Sequence, residues 1–280
     1  MIHGLSTYLG VNEKLTPRWL ERARTAGVDV IEIFCARQSF DYRERGQVGE
    51  IASYFRDSEM RLHSLHAPIY SDDCWGRTGP GAMVNVADTE RIRRRDACDE
   101  LKRVIETAER MPFRYLVLHM GMSGEEYADK KFDAAFSSLE QLNVFARDRG
   151  VEILLENIPN GLSGADRLAS FLAMTHLGNR FCFDTGHAHM MAGVEREFEA
   201  MKDRVRSTHV HDNDGRDDAH LFPVVAPGGT IDWKKAMDLL RSRATQYPLM
   251  LELCEVEGMG DPFAAVRAVF EKLDPAEAPG

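Results

Sequence analysis

The chain has 280 residues, a formal net charge of −10 and a sequence pI near 5.5. With 44% hydrophobic and 29% charged residues, it has the composition of a globular protein, which excludes the disordered and fibrous classes. The acidic balance disfavours nucleic acid and anionic membranes as partners, unless a basic patch or a bound cation reverses the charge locally.

The cysteines and the N-terminal segment indicate the compartment. The five cysteines form no CxxC pair, and their odd number argues against a disulfide framework. A reducing cytoplasm fits this usage best. The N-terminus lacks a basic segment followed by an apolar one, and no apolar run approaches the roughly 20 residues that span a bilayer. We therefore expect a soluble cytoplasmic protein without a membrane partner.

Short apolar segments alternate with longer amphipathic ones along the chain. The predicted strands cover 2–9, 28–34, 61–66, 115–119, 152–156, 181–184, 207–211 and 249–253. The predicted helices cover 16–26, 47–58, 89–110, 131–149, 165–176, 194–203, 232–243 and 262–273. Eight strands, each followed by a helix, predict a single-domain (β/α)8 TIM barrel over 1–273. The tail 274–280 is expected to be disordered.

Potential metal ligands stand where six consecutive predicted strands end. They are His66, His119, Glu156, Asp184, His211 and Glu252, with His187 three residues after Asp184. The carboxyl ends of barrel strands converge around the barrel axis, which is where barrel enzymes do chemistry. Two long connections, 69–88 and 212–230, follow strands at this same face and are expected to shape the site.

The carboxylates make the case for a cation. Glu156, Asp184 and Glu252 would crowd three negative charges together, which requires raised pKa values or a bound cation. A divalent metal held by carboxylate and imidazole ligands is the simplest resolution. His209 and His211 both face the interior because they are two residues apart on a strand. We favour His211 as the ligand, because it is nearer the mouth, and assign His209 to the core or to a supporting position.

Several motifs resemble those of the xylose isomerase-like barrel superfamily. They are His66-Ala67-Pro68, Glu156-Asn157, Asp184-Thr185-Gly186-His187, and the stretch HVHDNDGRDDAH…GGTIDW over 209–233. The resemblance covers nearly the whole chain. The superfamily contains sugar-phosphate isomerases and epimerases, and also AP endonucleases of the endonuclease IV type. One departure affects the loop over the substrate: Ala226-Pro227-Gly228-Gly229 lacks the glutamate that usually follows Pro-Gly.

The resemblance implies two ligand sets. In the single-metal epimerases it makes Glu156, Asp184, His211 and Glu252 the metal ligands, with Glu156 and Glu252 also the catalytic acid–base pair. In the three-zinc endonucleases the ligands would be His66, His119, Glu156, Asp184, His187, His211, Asp218, His220 and Glu252. All nine positions carry a suitable residue type. The motifs alone therefore leave the number of metal ions open.

The leading expectation is an isomerase or epimerase that binds one divalent ion of Mn, Zn, Mg or Co and no organic cofactor. Its substrate would be a small sugar, a sugar phosphate or a keto-sugar, deprotonated at a carbon next to a carbonyl. His119 and His187 would bind hydroxyls or steady the enediolate, and Arg216 would meet an anionic group. The same proton abstraction followed by loss of a β-hydroxyl would make the protein a dehydratase. The sequence is also compatible with a homo-oligomer.

Two alternatives remain. A multi-zinc phosphodiesterase would use the nine-ligand set, but the only basic run, Arg91 to Arg95, reads as a solvated helix face, so we expect no nucleic-acid partner. A non-enzymatic sugar-binding barrel would be expected to have lost ligands. Trp75 and Phe222 either stack on a sugar or pack against the protein.

Overall fold

The computed structural model describes residues 1–255 and 258–275. Its strands are His3–Ser6 (β1), Val30–Phe34 (β2), Arg61–His66 (β3), Tyr115–His119 (β4), Glu152–Glu156 (β5), Arg180–Asp184 (β6), Val205–His209 (β7) and Leu249–Leu251 (β8). All neighbouring strands are parallel, in the order β7-β6-β5-β4-β3-β2-β1-β8. A bridge between Val210 and Leu251 joins the two ends of the sheet. The predicted (β/α)8 TIM barrel is confirmed.

Helices follow the strands in the expected alternation. They are Pro17–Thr25 (α1), Arg45–Asp57 (α2), Arg91–Glu106 (α3), Asp129–Arg147 (α4), Ala165–Met174 (α5), Thr185–Met190 (α6), Val194–Met201 (α7), Trp233–Arg241 (α8) and Pro262–Leu273 (α9). Short 3-10 helices occupy Thr7–Gly10, Gly79–Ala82 and Thr107–Glu109. Within the described ranges, no helix is both long and apolar enough to cross a membrane.

The inner face of the barrel follows from strand periodicity. Side chains alternate between the two faces of a strand, so residues two apart share a face. Tyr115, Val117, Leu154 and Cys182 form an apolar cluster separate from the main core. His119, Glu156 and Asp184 each stand two residues beyond a member of this cluster. The apolar filling of the barrel thus lies directly below polar side chains at the strand ends.

Several observed elements differ from the predicted ones at their ends, and three differences matter most for the carboxyl ends of the strands. β1 ends at Ser6, because the Ser6 hydroxyl accepts a hydrogen bond from the Tyr8 amide and starts a 3-10 turn. β7 ends at His209, so His211 lies two residues past the strand rather than at its end. The six-residue helix α6 was not predicted, and Asp184 caps it.

The C-terminal segment is only partly described. Asp274, the first residue of the predicted disordered tail, accepts hydrogen bonds from the N-terminal amine and from His3. Residues 276–280 of that predicted tail lie outside the described residues.

Candidate functional site

Four donor groups meet at the carboxyl ends of β5 to β8. Glu156, Asp184, His209 and Glu252 each offer a ligand atom, and these atoms all lie within 4.8 Å of one another. His209 Nδ1 is 3.1 Å from Glu156 Oε1 and 3.3 Å from Glu252 Oε2. All four side chains are buried. We call this set the carboxylate cluster.

Two more histidines close the carboxylate cluster on the β3 and β4 side. His66 Nε2 is 3.3 Å from Glu156 Oε2, and His119 Nε2 is 3.1 Å from the same oxygen. His187 Nδ1 approaches the other oxygen of Glu156 at 3.2 Å. Glu156 is therefore the most heavily contacted carboxylate of the site.

A second set of ligand atoms lies beside the first. His187, His211, Asp218 and His220 also offer ligand atoms within 4.8 Å of one another, and we call them the histidine cluster. Asp218 contacts His187 Nε2 at 3.1 Å and His220 Nε2 at 3.3 Å. The rings of His211 and His220 stack at 3.8 Å. His220 has a φ of 46°, a left-handed conformation that is uncommon outside glycine and concentrates at functional sites.

Buried polar atoms without a hydrogen-bond partner indicate whether the site fits a metal. Among the described residues, Glu156 Oε1, Glu252 Oε1, His209 Nδ1 and His211 Nδ1 are buried without a hydrogen-bond partner, although some lie close to one another. A buried polar atom without a partner is costly, and a cation in the carboxylate cluster would offer a partner to Glu156, His209 and Glu252. Carboxylate and imidazole suit zinc, manganese and related divalent ions. The residues present therefore fit a divalent metal.

Histidines balance the charge of the buried carboxylates. Burial alone would raise the pKa of the Glu156 carboxyl, but His209 and His119 hold it well below its ordinary value. Burial alone would lower the pKa of His187, but Asp184 and its other carboxylate neighbours raise it well above the usual range. Burial alone would also lower the pKa of His209, but Cys182 and the carboxylates of Glu252, Glu32 and Glu156 raise it well above the usual range. For His119, burial prevails and lowers its pKa.

Asn157, which follows Glu156 in the sequence, hydrogen-bonds to the backbone of Asp184. Its amide nitrogen donates to the Asp184 carbonyl at 2.9 Å, and its amide oxygen accepts from the Asp184 backbone N–H at 2.8 Å. This pair of bonds fixes the end of β5 against the end of β6. The Asn157 side chain thereby sets the distance between the strand ends that carry Glu156 and Asp184.

The loop after β7 is tied down by Asp212. Its carboxylate accepts from the Thr230 and Ile231 amides, both at 3.1 Å, and from Trp233 Nε1 at 2.6 Å. A Cβ on Gly229 would lie 2.2 Å from Asp212 Cγ, so only glycine fits there. The Gly-Gly-Thr-Ile-Asp-Trp motif thus closes the loop that carries Asp218 and His220.

Glycine is required for the same reason beside the histidine cluster. A Cβ on Gly186 would lie 2.1 Å from Cε1 of the His211 ring. This close approach accounts for the glycine of the Asp-Thr-Gly-His motif.

The structure brings most of the predicted site residues together. Glu156, Asp184 and Glu252 share one cluster, with His66 and His119 against Glu156. His187, Asp218 and His220 share the other, which also contains His211. His211 Nε2 reaches Asp184 at 3.1 Å, so it lies between the two clusters, and its assignment as a ligand stays a prediction.

Arg216, in the same loop as Asp218, is not paired with either cluster. It is exposed, and within the described residues its guanidinium makes no hydrogen bond or ion pair. Phe222 is fully buried, so in this structure it packs against the protein.

Trp75, which the sequence analysis named, belongs to an aromatic patch beside the clusters whose other members, Tyr8 and Phe34, sequence reasoning missed. Trp75 packs against Phe34 at 5.3 Å and against Tyr8 at 5.8 Å. Phe34 stacks on His66 at 4.6 Å, and Tyr8 lies 4.9 Å from His220. Tyr8 and Trp75 are only half-buried. Tyr8 belongs to the 3-10 turn after β1, which the predicted longer strand concealed.

Comparison with known proteins identifies the family. The sequence profile of the xylose isomerase-like TIM barrel family matches residues 20–274. The chain therefore belongs to this family. An uncharacterized protein of Methanocaldococcus jannaschii is 26% identical over 195 residues, which are 69% of this chain and 74% of the relative. A second, from Sinorhizobium fredii, is 27% identical over 214 residues, or 70% and 67%.

Solved structures share the fold across nearly the whole chain. A D-tagatose 3-epimerase-like protein has a TM-score of 0.75 at 23% identity, with 98% of both chains covered. An L-ribulose 3-epimerase has a TM-score of 0.77 at 16% identity, with 97% of this chain and 92% of the other covered. The zinc-containing IolI protein has a TM-score of 0.75 at 15% identity, with 98% of both covered. At these identities the likeness shows the fold alone.

Proposed function

We propose that the protein is a metal-dependent isomerase or epimerase that moves a proton at a carbon next to the carbonyl of a sugar or keto-sugar. The observation that carries this proposal is the pair Glu156 and Glu252. Both are buried, and each has an Oε1 atom without a hydrogen-bond partner among the described residues. Two carboxylates free to accept and donate a proton at one site are what a two-base transfer requires.

Glu156, Asp184 and Glu252, together with His211 or His209, are the residues that would hold a divalent ion of Mn, Zn, Mg or Co. Such an ion, when bound, polarises a carbonyl and makes the neighbouring C–H more acidic. The solved IolI structure contains zinc in the same fold, which agrees with this assignment.

The chain's own residues would then handle the proton. One glutamate accepts it from the carbon, and the other returns a proton to the opposite face, which inverts the centre. Return to the adjacent carbon would instead exchange ketose and aldose. His119 and His187 flank Glu156 and would hold substrate hydroxyls. Loss of a β-hydroxyl after the same abstraction would give a dehydratase.

The aromatic patch favours an uncharged sugar as substrate. Tyr8 and Trp75 are half-buried. Tyr8 packs against His220, and Trp75 packs against Phe34, which stacks on His66. Aromatic rings cover the apolar C–H face of a sugar. Within the described residues, the ion pairs of both clusters join histidines to carboxylates, with no lysine or arginine among them.

The histidine cluster supports a second candidate function, a multi-zinc phosphodiesterase. Its four donors lie close enough to hold a second ion beside the carboxylate cluster. The surroundings favour this reading less, because Arg93 and Arg95 of the basic run pair with acidic neighbours. A phosphodiester backbone needs several free basic contacts.

The test is exchange of the substrate C–H with solvent. Purified protein loaded with Mn²⁺ would be incubated with a panel of ketohexoses and ketopentoses in D2O, and the C–H signals beside the carbonyl followed by proton NMR. We expect one substrate to lose a signal in a reaction that chelation abolishes. Lack of exchange with every sugar, together with hydrolysis of bis(4-nitrophenyl) phosphate, would overturn the proposal in favour of the phosphodiesterase.

A further inference from the structure

A buried glutamate lies deeper in the barrel than the strand-end clusters. Glu32 is the middle residue of β2 and is fully buried in the run Val-Ile-Glu-Ile-Phe. In the strand register Glu32 is level with Ser64, whereas Phe34 is level with His66 at the strand end. A buried carboxylate is costly unless it is paired. A carboxylate at this position inside an apolar strand is therefore expected to have specific partners.

Both oxygens of Glu32 are paired. Oε2 accepts a hydrogen bond from the Ser64 hydroxyl at 2.8 Å. Oε1 lies 2.9 Å from His209 Nε2, on the β7 side of the barrel. The ion pair with His209 is completely buried at both ends. Glu32 thus links β3 to β7 through the barrel interior.

The second nitrogen of the His209 ring, Nδ1, lies next to the proposed acid–base pair. Nδ1 lies 3.1 Å from Glu156 Oε1 and 3.3 Å from Glu252 Oε2. An imidazole bonded at Nε2 has a fixed ring orientation, and Nδ1 then points away from the bond. The contacts therefore run from Ser64 through Glu32 and His209 to the two glutamates.

We propose that Glu32 is a positioning residue, which holds His209 so that Nδ1 stays between Glu156 and Glu252. This inference rests on the proposed function for its consequence, since the two glutamates are the proposed acid–base pair. Carboxylates that hold the far nitrogen of a histidine at a metal site commonly tune the site without touching the metal. Loss of Glu32 would let the ring turn and the two carboxylates separate.

The experiment compares Glu32→Leu with Glu32→Gln in the full-length protein. Leucine removes both hydrogen bonds, whereas glutamine keeps an acceptor for His209 and a donor for Ser64. Glu100→Gln is the matched control, because Glu100 is another buried glutamate, hydrogen-bonded to Tyr42 and Arg103 outside the site. Mn²⁺ affinity is measured by calorimetry, and the His209 Nε2–H signal by ¹⁵N-edited NMR, assigned with His209→Gln.

We expect Glu32→Leu to weaken Mn²⁺ binding about tenfold or more and to remove the protected Nε2–H signal. Glu32→Gln should recover most of the affinity and the signal, and Glu100→Gln should change neither. Wild-type affinity and an unchanged signal in a folded Glu32→Leu variant would overturn the proposal. If that variant does not fold, Ser64→Ala decides by the same two readouts, weakened binding with a lost signal supporting the proposal and no change overturning it.

These readouts need no turnover. A failed positioning test would leave the proposed function standing, because C–H exchange is measured separately. Absence of exchange with the expected Mn²⁺ pattern intact would instead overturn the proposed function and leave the positioning role in place.

Discussion

Asp184 accepts a hydrogen bond from the backbone N–H of His187 at 2.6 Å through Oδ1, while its Oδ2 lies 3.1 Å from His211 Nε2. One carboxylate therefore caps helix α6 and also enters the candidate metal site. Burial alone would raise the pKa of the Asp184 carboxyl, but His187 and His211 lower it. The Asp184 side chain therefore supports both helix α6 and the candidate metal site.

Substitutions at Asp184 should separate the two roles. Asp184→Asn keeps an acceptor for the His187 amide but loses the charge that pairs with His187 and His211, so we expect reduced stability in chelator and a large loss of metal affinity. Asp184→Ala loses both and should also cost about 1 kcal/mol from the missing cap. Urea denaturation with and without metal measures both effects. Equal metal affinity in wild type and Asp184→Asn would refute the ligand assignment.

Glu156→Gln and Glu252→Gln should each abolish turnover while the fold is kept. An amide cannot accept the proton, and loss of general acid–base catalysis typically lowers the rate about 10²- to 10⁴-fold. Glu271→Gln is the control, because Glu271 is exposed on α9. The initial rate of C–H exchange and the circular dichroism spectrum are compared. Either site variant exchanging at the wild-type rate would remove that glutamate from the acid–base pair.

Metal binding should release protons and strengthen as the pH rises. Burial alone would lower the pKa of His220, but its bond to Asp218 raises it to about 9. The pKa of His187 is also raised by its carboxylate neighbours, and that of His209 by Cys182 and its carboxylate neighbours. A cation in the carboxylate cluster would take the place of a proton on His209 and, by charge repulsion, would lower the proton affinity of His187 and His220 beside it. Calorimetry in two buffers of different ionisation enthalpy counts them, and a pH-independent affinity without proton release would contradict the assignment.

His63 should make the fold sensitive to acid. Burial lowers its pKa from 6.5 to about 4, although Glu32 opposes the shift. Between these values the unfolded chain binds a proton that the folded chain excludes, so stability falls as the pH falls through this window. His63→Gln should flatten this part of the pH–stability curve, measured by urea denaturation in chelator. The exposed His176→Gln is the control, and equal curves for wild type and His63→Gln would disprove the role of His63.

Gly229→Ala should loosen the loop that carries Asp218 and His220. The added Cβ meets the Asp212 carboxylate at 2.2 Å, so either the carboxylate or the loop must move. We expect a clear fall in melting temperature and weaker metal binding. Gly49→Ala is the control, because it lies within α2 with nothing within 4 Å, and it should stabilise the protein by about 0.5–1 kcal/mol. An unchanged melting temperature for Gly229→Ala would show that the loop accommodates the methyl group.

Local patterns predicted the barrel and the gathering of Glu156, Asp184 and Glu252, because strand alternation and the ends of parallel strands follow from the sequence alone. The placement of His209 was not predictable in the same way. A period of two puts both His209 and His211 inward, and the observed end of β7 at His209 decides which one lies among the carboxylates. The contact of Glu32 with His209 joins residues 177 positions apart and requires the closed barrel.

The most direct test of a single-ion isomerase site is metal content, measured by elemental analysis on protein purified without chelator or a metal-binding tag. We predict about one divalent ion per chain, retained in the Glu271→Gln control and lost in Asp184→Ala, in agreement with the usual single ion plus open positions of such catalytic sites. Two or three zinc ions per chain, with phosphodiester hydrolysis and no sugar exchange, would contradict the account and make the histidine cluster part of a multinuclear centre.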